Sequence, residues 1–188
     1  MEISLRDLMA VLHGMGFGVL FMLAFSGAIG VIYATAVTDA RWQPGASDSR
    51  MFRFYLISMA VLAWLTVLSG VYIVYPWYRA VPPPGTTDLA MYPQQLLQSN
   101  PLTAGWHNYG MEWKEHIAWL TPIAMTMVAY VFIKYGPGLA RFSQLRRAVL
   151  GFTAVAFFAT AIAGMCGAFL TKFAPVHGGP EIILLQGK

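Results

Sequence analysis

Apolar positions fill most of the chain in four long runs, without the strict alternation of a half-buried strand. The runs cover about residues 8–35, 54–75, 111–134 and 147–171. A helix needs roughly 20 mostly apolar residues to cross about 30 Å of hydrocarbon, and lipid admits only helices or closed barrels. Since these runs do not alternate, helices are favoured. The pattern predicts an all-α, integral membrane four-helix bundle, with residues 1–188 as a single transmembrane domain.

Polar and turn-forming residues separate the runs. Short polar loops are predicted over 38–53 and 136–147, and a long loop over 76–110. The long loop contains Pro82, Pro83, Pro84 and Gly85, which resist a continuous helix. We expect it to be an ordered or semi-rigid exterior segment, because long connections without secondary structure are uncommon in compact domains.

The first run follows Arg6, as the apolar core of a secretory signal would. A signal has an apolar core of about 7–15 residues. This run extends from about Leu8 to Val37, which is too long for a signal. We therefore interpret it as a retained membrane span.

Positive charge is unequal on the two sides of the predicted bundle. The short loops and their flanks carry seven basic residues: Arg41, Arg50, Arg53, Lys134, Arg141, Arg146 and Arg147. The termini and the long loop carry five: Arg6, Arg79, Lys114, Lys172 and Lys188. The positive-inside rule then places the short loops in the cytoplasm and both termini on the outer, periplasmic side. A compact chain with little cysteine suits a bacterial inner (cytoplasmic) membrane.

Composition excludes several classes of function. Charged residues make up 11% of the chain, against about 25% in soluble domains. The net charge of +4 does not indicate nucleic acid, because the basic residues lie at the ends of apolar runs and serve orientation. The single cysteine, Cys166, excludes an internal disulfide, a Cys-rich metal site and covalent haem attachment.

Motifs of self-contained catalysis and of transport are missing from the sequence. It contains no glycine-rich phosphate loop, no plausible serine triad and no pair of acids deep in a span. Inverted repeats and charges near mid-bilayer, which are typical of transporters, are also lacking. The sequence therefore favours an electron-transfer or accessory subunit over an independent enzyme.

Two histidines lie inside predicted spans at similar depth. His13 is about five residues into the first span, and His116 lies at the start of the third. Ionisable groups inside spans are costly, face the bundle interior and are functional candidates by default. Imidazoles from facing helices can hold a b-type haem without covalent attachment. We therefore predict His13 and His116 as axial ligands of one haem near the outer face.

Neighbouring residues fit the haem hypothesis, each with an alternative. Gly14 and Gly16, together with Gly18, remove side chains beside His13, which makes room for a macrocycle or for close helix packing. Glu112 is four residues before His116, where its carboxylate can accept the second imidazole N–H. Met165, near the outer end of the fourth span, is a minor alternative ligand.

The other two histidines fall outside the predicted spans. His107 lies in the long loop beside Trp106, and His177 follows Pro175 in the C-terminal tail. Histidines in exposed loops are usually solvated or contact a partner. We therefore assign neither of them to the haem.

In size, span number and histidine placement, the chain resembles small four-helix membrane b-type cytochromes. The resemblance implies a membrane electron-transfer subunit with one haem b. Such a subunit would relay electrons between a periplasmic redox partner, such as a c-type cytochrome, and quinol or a neighbouring membrane subunit. A quinone is then a further expected cofactor, and other subunits of a complex are expected partners beside the lipid bilayer.

Two alternatives from other classes stay open. One is a structural subunit that binds no cofactor and anchors a larger membrane complex, with the histidines bonding across helices. The other is a non-haem metal site built from Glu112, Glu115, His116 and His13, which resembles carboxylate-rich sites in helical bundles.

Overall fold

Four long helices pack side by side in the computed structural model, which describes residues 3–37 and 46–174. The fold is all-α, 86% helical, with no strand in the described residues. The long helices are α1 (5–37), α2 (46–78), α4 (101–135) and α5 (Ser143–Phe173), and α3 is the short helix Pro93–Gln98. The predicted helical class is confirmed.

Each long helix is long and apolar enough to cross a membrane. The spans are Leu5–Ala34, Arg50–Tyr78, Pro101–Tyr135 and Ser143–Phe173, with mean hydropathies of 1.6 to 2.1. The protein itself buries only 22% to 44% of their most apolar windows. Because the remaining apolar surface has no protein cover, it needs an apolar solvent, which indicates a multi-pass membrane protein.

The third span begins ten residues before the predicted start, so the predicted loop 76–110 is shorter than expected. Helix α2 continues to Tyr78, and α4 begins at Pro101. Asn100 caps α4, because its side-chain oxygen accepts a hydrogen bond from Leu102 N at 2.9 Å. Proline suits the first helical position, where its missing N–H costs nothing. The Asn100-Pro101 pair therefore starts a helix instead of interrupting a loop.

Helix neighbours define the order around the bundle. Helix α1 packs against α2 and α5, and α4 packs against the same two helices. Thus α1 and α4 occupy opposite corners. A ligand held by both helices would have to lie across the bundle interior.

Small buried residues let the helices approach closely. Ala28, Ala63, Ala124 and Ala156 are at most 3% exposed and come from all four long helices. Thr121 adds a polar tie, since its hydroxyl lies 2.9 Å from the Thr160 hydroxyl across the α4–α5 contact. Small side chains and hydroxyl bonds of this kind are typical of helix association in lipid.

The two ends of the bundle differ in chemistry. We call the end where α1 and α4 begin and α2 and α5 finish the histidine end (4–13, 66–78, 101–117 and 162–173). The opposite end, the basic end (50–53 and 134–147), carries Arg50, Arg53, Lys134, Arg141, Arg146 and Arg147. His177 lies outside the described residues, as do Arg41 and Lys188.

Three π-helical segments lie at or next to the histidine end, each in a different helix. They are Leu12–Val19 in α1, Gly70–Val74 in α2 and Trp106–Met111 in α4. Such wider turns are rare and are frequently found at functional sites. They direct attention to the side chains around His13 and His107.

Replacing Ala156 with leucine tests the close packing. Ala156 is 0% exposed, so the larger side chain overfills the α4–α5 contact. We expect the free energy of unfolding in mixed detergent micelles to fall by about 1–3 kcal/mol. Val155→Leu, on the exposed side of the same helix, is the control and should change it little. Equal losses in both variants would contradict this packing.

Candidate functional site at the histidine end

His13 lies in the π-helical segment of α1 and bonds across to α2. Its Nδ1 is 2.8 Å from the carbonyl oxygen of Thr66 and 3.1 Å from the hydroxyl of Ser69. A carbonyl only accepts, so Nδ1 carries the hydrogen and donates it to Thr66. Nε2 is left with its lone pair and with no hydrogen-bond partner among the described residues. This is the orientation of a histidine that is ready to bind a metal.

Gly70 of α2 makes the space for the imidazole. A Cβ added there would lie 2.7 Å from His13 Cε1, closer than such atoms approach. By contrast, a Cβ at Gly14 would meet nothing within 4 Å, and one at Gly16 would meet only its own neighbour Leu12. The glycines beside His13 in the sequence therefore do not form its pocket. The glycine that does comes from another helix, where spacing along the chain gives no signal.

His116 is on the outside of the bundle. It is exposed, as are Leu120 and Ile123, which follow it on the same helical stripe. Its Nδ1 lies 2.7 Å from the main-chain carbonyl oxygen of Glu112. Glu112 thus orients the imidazole as expected, but through its backbone and not its carboxylate. The structure does not bring His13 and His116 together.

Lys114 takes the inward position on α4. Two residues before His116, it points about 200° away around the helix. A Cβ at Gly167 of α5 would be 3.2 Å from Lys114 Nζ, so the amine reaches between the two helices. It also lies close enough to His13 and Cys166 to interact with them electrostatically. No described residue forms a hydrogen bond or ion pair with its Nζ.

Glu115 and Tyr75 extend this polar layer to α2. Oε1 of Glu115 is buried and has no hydrogen-bond partner in the described part of the chain. The carboxylate lies close enough to the Tyr75 hydroxyl to interact with it. Arg79 Nη1 in turn donates to that hydroxyl at 2.6 Å. Ionisable groups from three helices therefore gather inside one end of the bundle.

His107 is buried, which corrects its assignment as a loop residue. It is 5% exposed and belongs to α4, because that helix starts at Pro101. Its Nδ1 lies 2.8 Å from the Tyr78 hydroxyl, and its Nε2 lies 3.4 Å from Gln94 Nε2. The residue connects α2, α3 and α4. Its two ring nitrogens are both occupied, so its role in the structure is to hold the connecting segment against the bundle.

A groove of about 620 Å³ runs between α4 and α5 on the outer surface of the histidine end. Its walls are apolar, aromatic or glycine residues: Leu102, Gly105, Trp106, Tyr109, Gly110, Trp113, Ile162, Met165 and Cys166. Met165 is 54% exposed on this outward surface and does not point towards His13. Cys166 lines the groove and also neighbours Lys114, so the groove adjoins the polar layer.

The non-haem metal alternative has no assembled ligand set. Within residues 3–37 and 46–174, no group of three or more His, Cys, Asp or Glu side chains is close enough to hold a metal ion. His13 and His116 lie on different faces, as described above. The site therefore consists of a fixed imidazole and an adjoining layer of lysine, glutamate and tyrosine.

Replacing Gly70 with alanine tests the seat of His13. The new methyl group would displace the imidazole from Thr66, and we expect a loss of about 1–3 kcal/mol in the free energy of unfolding. Gly14→Ala, beside His13 but facing open space, is the matched control and should not destabilise the protein. Heat unfolding followed by circular dichroism in detergent measures both. A Gly70→Ala protein as stable as the control would show that the contact is not needed.

Comparison with known proteins yields no relative: no family model matches the chain, and no curated protein or solved structure matches it. Function is therefore argued from the geometry of the histidine end.

Proposed function

We propose that the protein is a membrane electron-transfer subunit that holds one b-type haem at its histidine end, with His13 as an axial ligand. The observation that carries this proposal is the His13 imidazole, which donates Nδ1–H to the Thr66 carbonyl and keeps Nε2 free. When bound, a haem accepts and donates single electrons. The chain supplies the ligand, its orientation and an apolar surrounding.

Two features of the chain fit such a group. A backbone carbonyl on Nδ1 fixes both the tautomer and the ring plane, as the outer partners of metal-binding histidines do. The neighbouring π-helical turn places His13 at the α1–α2 contact, next to a lysine that has no hydrogen-bond or ion-pair partner in the described chain. An unpaired ligand nitrogen inside a span has a cost, and binding a metal centre removes that cost.

The second axial position is not supplied by the predicted residues as they stand. His116 and Met165 both face outward, and His107 uses both ring nitrogens. His116 could reach an iron on His13 only if α4 turned about its axis. We therefore propose His13 as the histidine ligand and expect His116 to contribute little.

The charge distribution supports an orientation for this function. We propose that the basic end lies in the cytoplasm and that the histidine end, with both termini, faces the periplasm of a bacterial inner membrane. A haem there would exchange electrons with a periplasmic partner, such as a c-type cytochrome, and with quinol or a neighbouring membrane subunit. It would be too far from the cytoplasmic face to carry electrons across the bilayer alone.

One observation favours a second candidate, a cofactor-free anchoring subunit. The bond from His13 to Thr66 and the close contact with Gly70 join α1 to α2 without any ligand. In that case the imidazole would be a structural tie, and the exposed stripe around His116 would be available to another subunit.

Absorption spectra distinguish the two candidates. We expect the purified protein, made with haem available, to show sharp Soret and alpha bands in reduced-minus-oxidised spectra. His13→Ala should lose at least about nine-tenths of the bound haem, since the one fixed ligand is removed. His116→Ala is the control, and it should keep most of the haem because that side chain faces outward.

Colourless wild-type protein without iron would reject the haem and leave the anchoring role. Equal loss in both variants would instead support the His13–His116 pair and require α4 to turn. Circular dichroism of each variant checks that the helices are intact.

Labelling of two exposed glutamines tests the orientation. Gln98 lies at the histidine end and Gln144 at the basic end, and Cys166 is buried. In intact cells, a membrane-impermeant maleimide should label Gln98→Cys and not Gln144→Cys. Permeabilisation should make Gln144→Cys reactive. The reverse pattern would overturn the proposed orientation.

A further inference from the structure

Lys114 and Glu115 are neighbours in sequence, both directed into the histidine end, and yet they do not bond to each other. Neither Lys114 Nζ nor Glu115 Oε1 has a hydrogen-bond partner in the described residues, although the two side chains are close enough to interact electrostatically. One is a donor and the other an acceptor. Polar groups without partners inside a membrane bundle are expensive, so a bound molecule that offers both kinds of partner would be stabilised there.

The groove between α4 and α5 provides a way in from the lipid. Cys166 contributes to its wall and neighbours Lys114, and Gly167 leaves room for the lysine side chain. Trp106, Tyr109 and Trp113 give the groove flat aromatic walls. A ligand that reaches the lysine by this path is lipid-soluble, has a flat ring and carries oxygen atoms at one end.

We propose that this groove binds the headgroup of a lipid-soluble quinol, with one ring oxygen accepting from Lys114 and one ring hydroxyl donating to Glu115. The charge pattern selects this class of ligand. A hydrocarbon tail offers nothing to either group, whereas a quinol supplies a donor and an acceptor on opposite sides of one ring. The inference rests on the proposed electron-transfer function for its purpose, since a quinol bound here would lie beside His13.

Quinone binding can be measured without reference to haem. The probe is a short-chain ubiquinone analogue, decylubiquinone, titrated into the purified full chain while tryptophan fluorescence is recorded; Trp106 and Trp113 lie in the groove. We expect saturable quenching. Lys114→Met and Glu115→Gln should each raise the dissociation constant at least about tenfold, as the loss of a hydrogen bond to a charged group does.

Lys134→Met is the matched control for charge. This lysine is exposed at the basic end, so its replacement should leave the dissociation constant unchanged. Gly105→Leu tests the groove itself, because a Cβ there meets nothing within 4 Å and a leucine would fill the space without straining the helix. Gly151→Leu, equally open but on the basic half of α5, is its control.

Unchanged affinity in both Lys114→Met and Glu115→Gln, or equal weakening in Gly105→Leu and Gly151→Leu, would overturn the site. Glu115→Gln preserves shape, so it keeps the test valid if the lysine variant does not fold. Saturable binding by a protein that shows no haem band would reject the proposed haem and leave the quinol site. A haem band lost only in His13→Ala, with no quinone binding, would do the opposite.

Discussion

Backbone amides and carbonyls inside hydrocarbon have no water to bond, so each must find its partner within the protein. The four long helices meet this requirement along their lengths, and their apolar outer surfaces suit lipid better than water. With the backbone satisfied internally, contact between helices depends on close packing and a few polar bonds. The alanines at the centre of the bundle provide the first, and Thr121, His13 and Tyr55 provide the second.

The histidine end departs from this economy and gathers polar side chains where an apolar core would cost less. Three helices widen into π-helical turns there, and residues of the connecting segment cover it. Arg6 donates to the carbonyl oxygen of Met91, and His107 connects Tyr78 to Gln94, so the segment is attached at two points. Buried polar layers that are only partly satisfied are characteristic of binding sites, which is why the functional proposals are placed at this end.

Rotation of α4 decides how the predicted site is divided. Sequence depth alone placed His13 and His116 at one level, and both do have their Nδ1 atoms bonded to backbone carbonyls. Depth carries no information on facing, however, and a residue two positions away points to the other side of the helix. Lys114 is therefore the inward residue, and His116 presents its ring to lipid or to another subunit.

Hydropathy and run length by themselves determined the helical class, the number of spans and the concentration of ionisable groups towards one end, because burial in lipid leaves only that choice for long apolar runs. They could not show that Asn100 caps a helix, that His107 is buried, or that Gly70 is the glycine against His13. Those facts depend on which faces of separate helices meet. Only tertiary packing decides this, since helical periodicity is set within a chain segment and contact between segments is not.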